Sequence, residues 1–226
     1  MADLMTEQEQ VDWIKQFWKA YGNWVLGVFI MIMLAWSGYQ FWQHKQANQV
    51  DQASSAYLSL IQSASEGDEI NLTAKANNLM QNDPGSVYAS LSALILASSD
   101  VSQGDLNEAK KDLNFVIQHP VNKTLVGLAK LRLARILIAQ GDPNAAVKLL
   151  LPVSSGNLVA TNFILGEAYT ALGKTAVARG YYQTALEVLD NQKNNKNLDK
   201  NLDKNLDQNL DSAGMRALIQ MKLADL

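Results

Sequence analysis

Two patterns of hydrophobic and polar positions divide this chain of 226 residues. The first is a continuous apolar run. From Ala20 to His44 there is no Asp, Glu, Lys or Arg, and "GNWVLGVFIMIMLAWSGYQF", residues 22–41, is the most apolar stretch of the sequence. At roughly 1.5 Å per residue, twenty helical residues cross a hydrocarbon core of about 30 Å. Three identities suit such a run: a cleaved secretory signal, a buried core helix or a permanent anchor. A signal begins with a basic region and ends in small residues. Here Asp3, Glu7, Glu9 and Asp12 outnumber Lys15 and Lys19 ahead of the run, and Tyr39, Phe41 and Trp42 stand where a peptidase needs small side chains. Trp13, Phe17, Trp18, Tyr21 and Trp24 before the apolar centre, and Trp36 with Tyr39, Phe41 and Trp42 after it, match the aromatic belts of a membrane span. The pattern predicts an uncleaved transmembrane helix over residues 21–43 behind a tail of residues 1–20.

The second pattern starts after Lys45. Apolar residues recur at steps of three and four, prolines are few, and no strand alternation is visible, so the rest of the chain is expected to be all helical. The helices also repeat. In "LGEAYTALGKTAVARGYYQTAL", Leu165–Leu186, Leu165 and Tyr169 lie one turn apart on a first helix, and Gly173 ends it where a left-handed backbone is useful. Ala178 is small enough for a second helix to approach, and Tyr182 and Ala185 continue the buried stripe. This unit resembles the tetratricopeptide repeat (TPR). With the glycine as a ruler, the pattern returns at Leu133, Ala134, Leu137, Gly141, Ala146 and Leu150, and at Leu96, Ala97, Gly104, Ala109, Leu113 and Val116. A weaker first unit carries Leu60, Gly67, Leu72, Ala76, Leu79 and Pro84. The four glycines are 37, 37 and 32 residues apart, near the repeat length of about 34.

These features predict an all-α protein: one N-terminal transmembrane helix, then over residues 44–226 a TPR-like α-solenoid of about four degenerate helix pairs. A C-terminal capping helix, "SAGMRALIQMKLADL", is expected to turn Met215, Leu218, Ile219 and the stem of Lys222 toward the last repeat. Between the two, residues 191–211 hold the unit KNLD, repeated with little change from 196 to 211. A helical leucine stripe of period four drifts by about 40° per unit, so the stretch is expected to be a low-complexity insertion, with helical extension of the last repeat as the alternative.

Charge and residue content narrow the function. The chain carries 19 basic against 22 acidic residues, a net −3, and without the tail 17 against 18. Lacking a Lys/Arg stripe, it is not expected to bind nucleic acid, whose affinity depends on neutralising phosphates. Lys15 and Lys19 before the run against Lys45 after it favour an N-terminus on the cytoplasmic side by one charge. There is no cysteine, and His44 and His119 stand alone, so neither a Cys–His nucleophile nor an N/S-ligated metal site can be assembled. His44 is expected at the membrane boundary and His119 at a helix end. No phosphate-cradling glycine loop follows a strand. A non-enzyme with no cofactor and no small-molecule substrate is expected.

The order of four blocks, "EQVDWIKQFWKAYGNW" at 9–24, "LRLARI" at 131–136, "LGEAYTALGKTAVARGYY" at 165–182 and the ending "QMKLADL" at 220–226, resembles the YfgM family, ancillary subunits of the SecYEG translocon in the bacterial inner membrane. The KNLD insertion departs from that family's pattern. The resemblance implies a cytoplasmic tail, one membrane helix and a periplasmic TPR-like domain. It also implies association with SecYEG and with a PpiD-like periplasmic chaperone, and hand-over of newly translocated, unfolded polypeptides. Two other functions compete: negative control of a stress-response regulator through the cytoplasmic tail, and a TPR scaffold for another envelope complex. Binding is expected on the concave face made by first helices, where the repeat ruler places Leu131, Arg135, Ile138, Phe163, Glu167 and Thr170. Gly27, Ala35 and Gly38 offer a small-residue face on the membrane helix for packing against another helix, in competition with plain contact to the lipid bilayer.

Overall fold

The structure, a computed structural model, describes residues 7–153, 156–198 and 206–226. Among them are nine helices and no strand: α1 (Glu7–Glu66), α2 (Glu69–Asn82), α3 (Val87–Gln103), α4 (Leu106–Gln118), α5 (Lys123–Ala139), α6 (Pro143–Leu150), α7 (Leu158–Ala171), α8 (Thr175–Leu198) and α9 (Leu206–Ala224). The chain divides into two compact units, residues 1–54 and 55–226.

In the first unit, the described side chains from Gly27 to Ser37 are all exposed, Phe29, Met31, Leu34 and Trp36 among them. Among the described residues no helix is long and apolar enough to cross a membrane. Within the apolar run, the side chains at 20, 22, 23, 25, 26, 38 and 40–44 lie outside the described residues. The expectation for Gly38 therefore falls outside them, as does that for His44.

The second unit is built from four helix pairs, each reversed at one of the ruler glycines. Gly67, Gly104, Gly141 and Gly173 have φ of +70°, +86°, +81° and +70°, the left-handed region that costs other residues about 1–2 kcal/mol. The same two hydrogen bonds close every turn. After α3, the Gly104 N–H donates to the Val101 carbonyl at 3.2 Å and the Asp105 N–H to the Asp100 carbonyl at 2.8 Å. The same bonds run from Asp68 to Ser63, from Asp142 to Leu137 and from Lys174 to Tyr169 at 2.9–3.0 Å. This capping motif satisfies carbonyls that the ended helix leaves without partners. In two of the turns the next residue then starts the following helix: Asp68 accepts from the Asn71 N–H and Asp142 from the Ala145 N–H.

Alanines and one glycine set the distance within and between pairs. Ala93, Ala97, Ala109 and Ala129 are buried in a core with Leu94, Leu113, Val116, Leu133 and Ile136, joining α3, α4 and α5. A second core gathers Ala134, Ala146, Ala168, Ala178 and Ala185 around Leu131, Leu150, Phe163, Ile164, Leu165 and Tyr182. Gly166 lies flat under Tyr182: a Cβ there would stand 2.5 Å from the ring's Cε1. Helix α9 closes the stack with Ile219, which is fully buried, and Met215 packs beside it. Lys222 Nζ reaches Glu167 Oε1 at 3.7 Å, and Arg216 pairs with Asp190 of α8. One expectation for this helix is corrected. Leu218 is 37% exposed, because Met215, Ile219 and Leu223, at steps of four, already form the stripe that meets the last repeat.

Two further corrections concern the predicted face. Leu131 is 6% and Phe163 3% exposed, both inside the second core, so neither has surface to offer a ligand. Their positions face the neighbouring pair rather than the open side. In the KNLD stretch, residues 196–198 continue α8 and residues 206–211 begin α9, so its described parts are helix and not a loop insertion. Residues 199–205 lie outside the described ones.

Gly166→Ala is expected to destabilise the domain by about 1–3 kcal/mol through overpacking on a buried ring, and Gly173→Ala by about 1–2 kcal/mol through its backbone. Denaturant unfolding followed by circular dichroism measures both. In the same assay Leu131→Ala and Phe163→Ala should cost about 2–5 kcal/mol, whereas Arg135→Glu, on an exposed side chain, should stay within about 0.5 kcal/mol.

Candidate binding groove

Stacking the pairs lays the end of α1, α3 and α5 side by side, and they enclose a groove of about 560 Å³. Its floor follows one face of α3. Leu91, Leu94, Ile95, Ser98, Ser99 and Ser102 recur at helical steps, so this stripe is aliphatic in its first half and hydroxylated in its second. Leu125, Leu128 and Arg132 of α5 form one side, and Tyr57, Ser63 and Ala64 of α1 with Glu69 and Leu72 of α2 the other.

Hydrogen bonds and rings hold these walls. Lys75 of α2 donates to the Ser59 carbonyl at 2.9 Å and to Ser63 Oγ at 2.8 Å, tying α2 to the last turns of α1. The rings of Tyr57 and Tyr88 lie with centroids 5.6 Å apart, joining α1 to α3. Glu69 Oε2 accepts from Ser99 Oγ at 2.7 Å and Gln103 Nε2 at 2.8 Å. Arg132 donates through one guanidinium nitrogen to the Leu94 carbonyl at 3.0 Å, and no salt bridge to it is found among the described residues. A guanidinium has five N–H donors in a planar fork, so Arg132 retains capacity toward the groove. Leu94 precedes Ser99 and Gln103 by five and nine residues, which at about 1.5 Å per residue separates the cationic and anionic sites by about 8–13 Å along α3.

None of the six side chains predicted for the concave face lines this groove. Arg135 and Thr170 are exposed, and Ile138 is half-buried against the second core. Thr170 Oγ1 donates to its own helix at the Gly166 carbonyl, 2.9 Å away. Glu167 is engaged by Lys222 of the capping helix. The predicted face is thus partly core and, at Glu167, engaged by α9, while the open groove lies nearer the N-terminus and shares only α5 with it. The signal that locates it is present in "LSALILASSDVSQ", residues 91–103, where the stripe turns from leucine to serine without losing its spacing. Gly27 and Ala35 are exposed in the first unit, and a Cβ on Gly27 meets nothing within 4 Å.

Ionisable chemistry is concentrated behind the groove. Asp112 of α4 is only 8% exposed, and burial, then Asp100 of α3, push its carboxyl up to about 7. His119 caps α4, with Nδ1 3.0 Å from the Phe115 carbonyl and its ring on Phe115, in keeping with the expected helix-end role. No cluster of three or more His, Cys, Asp or Glu that could hold a metal occurs among the described residues.

Comparison with known proteins agrees with this architecture. The family model of a tetratricopeptide repeat-like domain matches residues 15–226. The ancillary SecYEG translocon subunit of Neisseria gonorrhoeae is 28% identical over 101 residues, 44% of this chain and 48% of the relative. Its counterpart in Haemophilus influenzae is 31% identical over 94 residues, 42% of this chain and 46% of the relative. The alignments with these curated relatives thus span about half the length of each. With four glycine-reversed helix pairs in place and the matched span reaching from residue 15 to the C-terminus, the chain belongs to the tetratricopeptide repeat-like family.

Proposed function

We propose that this chain is a membrane-anchored, non-enzymatic adaptor of the SecYEG translocon whose groove between α1, α3 and α5 takes hold of emerging, unfolded polypeptide. In this reading residues 21–43 anchor it in the bacterial inner membrane, the tail is cytoplasmic and the repeat domain periplasmic. A PpiD-like chaperone receives the polypeptide next.

The observation that carries the proposal is the composition of the groove. An unfolded chain presents apolar side chains together with backbone N–H and C=O groups that need partners. Leu91, Ile95, Leu125 and Leu128 meet the first, and the hydroxyls of Ser98 and Ser102, with Arg132 and Glu69, meet the second. A volume of about 560 Å³ lies within the roughly 300–1,000 Å³ of sites that enclose small ligands, so the groove suits a short stretch of chain rather than a folded domain. The names of the two relatives supply the translocon as the place where such chains appear.

Photo-crosslinking in intact cells tests this, with probes at Ser98 in the groove, at Gly38 in the apolar run and at Arg135 outside the groove. The expected outcome is adducts to newly translocated chains or a periplasmic chaperone from Ser98, and to translocon subunits from Gly38. Adducts from Arg135 but none from Ser98 would move binding to another face. Adducts to cytosolic proteins alone would reverse the topology. Ser98→Trp, which fills the groove from an exposed position, should reduce capture at least severalfold with the melting temperature unchanged; undiminished capture would reject the groove.

A further inference from the structure

The second helix pair holds two carboxyl groups that the binding reading does not use, Asp112 buried and Asp100 half-buried. Asp100 stands near the end of α3, and its own backbone carbonyl closes the glycine turn by accepting from the Asp105 N–H at 2.8 Å. Asp112 stands on α4, buried beside it. The two carboxyls lie within hydrogen-bonding reach of each other. One oxygen of each, Asp100 Oδ2 and Asp112 Oδ2, is out of solvent and reached by no donor of the fold. Two such acceptors side by side without a donor are unfavourable, since an ionised oxygen out of water recovers none of the hydrogen bonds it gave up.

A metal or a proton could relieve this. A metal needs further ligands, and no set of three acidic or histidine side chains suitable for one exists among the described residues. A proton needs only the pair. We propose that Asp100 and Asp112 form a proton-operated latch across α3 and α4, closed while one proton is shared between the carboxyls and loosened when both ionise.

The surroundings favour holding that proton. Glu108 of α4 bears on both carboxyls, Asp105 at the N-cap of α4 on Asp100, and from α2 Glu69 adds to the negative field on Asp100. Lys111 is the opposing charge, and its ammonium is already 2.7 Å from Glu108 Oε1. From α5, Arg132 is directed at the Leu94 carbonyl. Burial pushes both carboxyls up, Asp112 to about 7, and as a coupled pair they share that upper step. In the unfolded chain a free Asp ionises near 3.9. Between those values the folded state binds a proton that the unfolded state does not, so stability is greatest on the acid side and falls as pH rises toward about 7. The latch borders the groove, because Ser98, Ser99 and Ser102 sit on the same last turns of α3 as Asp100. Its existence does not depend on what the groove binds.

The test compares full-length protein in detergent micelles with its Asp112→Asn variant, whose amide supplies a fixed donor and cannot titrate. Melting temperature is recorded from pH 5 to 8.5, and hydrogen exchange of the α4 amides is compared between the two proteins at each pH. The expected result is a wild-type melting temperature that falls relative to the variant up to about pH 7 and then runs parallel to it. The unfolding constants of the two should diverge by up to tenfold per pH unit, with faster α4 exchange in the wild type above pH 7. Parallel profiles over the whole range would overturn the proposal. Should the variant not fold, carboxyl-carbon NMR of the wild type decides: an aspartate titrating near 7 supports the latch, and all aspartates titrating below 5 overturns it.

Discussion

Two helices can run back along each other only if the chain between them reverses within a few residues and leaves no backbone group stranded. Here that constraint is met four times by one device, a glycine with positive φ whose turn returns two N–H groups to the end of the preceding helix. A side chain at these positions would have to enter the left-handed region at a cost of about 1–2 kcal/mol. The repeated cost would fall on a fold whose whole stability is of the order of 10 kcal/mol. Pair geometry, and with it the stacking of pairs, follows from these turns.

What the turns bring together, small residues let in. The alanines of the two cores and the bare Cα of Gly166 under Tyr182 allow backbones to approach closely, and the large side chains fill what remains. This arrangement leaves first helices neighbouring first helices. Their common face becomes a groove only where its stripe stops reaching into the neighbouring pair. Along α3 this happens where leucine gives way to serine, Ser99 being met only by the longer Glu69 side chain of α2. Farther along, Leu131 and Phe163 cross it and become core, and Lys222 of α9 reaches over to Glu167.

The periodic part of this structure was legible in the sequence. The glycine ruler found the reversal within each pair, and the spacing of Leu165, Tyr169, Ala178 and Tyr182 marked the packed face of the last pair, because each of those positions obeys a local rule. Which of the repeated faces stays open was not legible, since a leucine at a first-helix position reads the same whether it meets a neighbour, as Leu131 does, or lines a cavity, as Leu128 does. Leu218 and the described KNLD residues failed for a related reason. Helical pattern alone does not say which turn of a capping helix touches the body, nor how far a polar helix continues once its ends are held by packed ones. The Asp100 and Asp112 pair was invisible because the residues are twelve apart and meet only across the folded turn.

In a stack of this kind each pair touches only its neighbours, so a perturbation is strongest where it arises and weakens with each interface it crosses. A charge buried in the second pair therefore acts first on α3 and α4, then on α2 and α5 packed against them. Those helices supply most of the groove. The fourth pair and α9, separated from the acids by the third, are held by an apolar core with no buried carboxylate of its own among the described residues. Two acids placed in the last pair would loosen the capping end and expose the stack to fraying. In the second pair their ionisation is confined by packed helices on both sides, and its effect is directed at the face that is open.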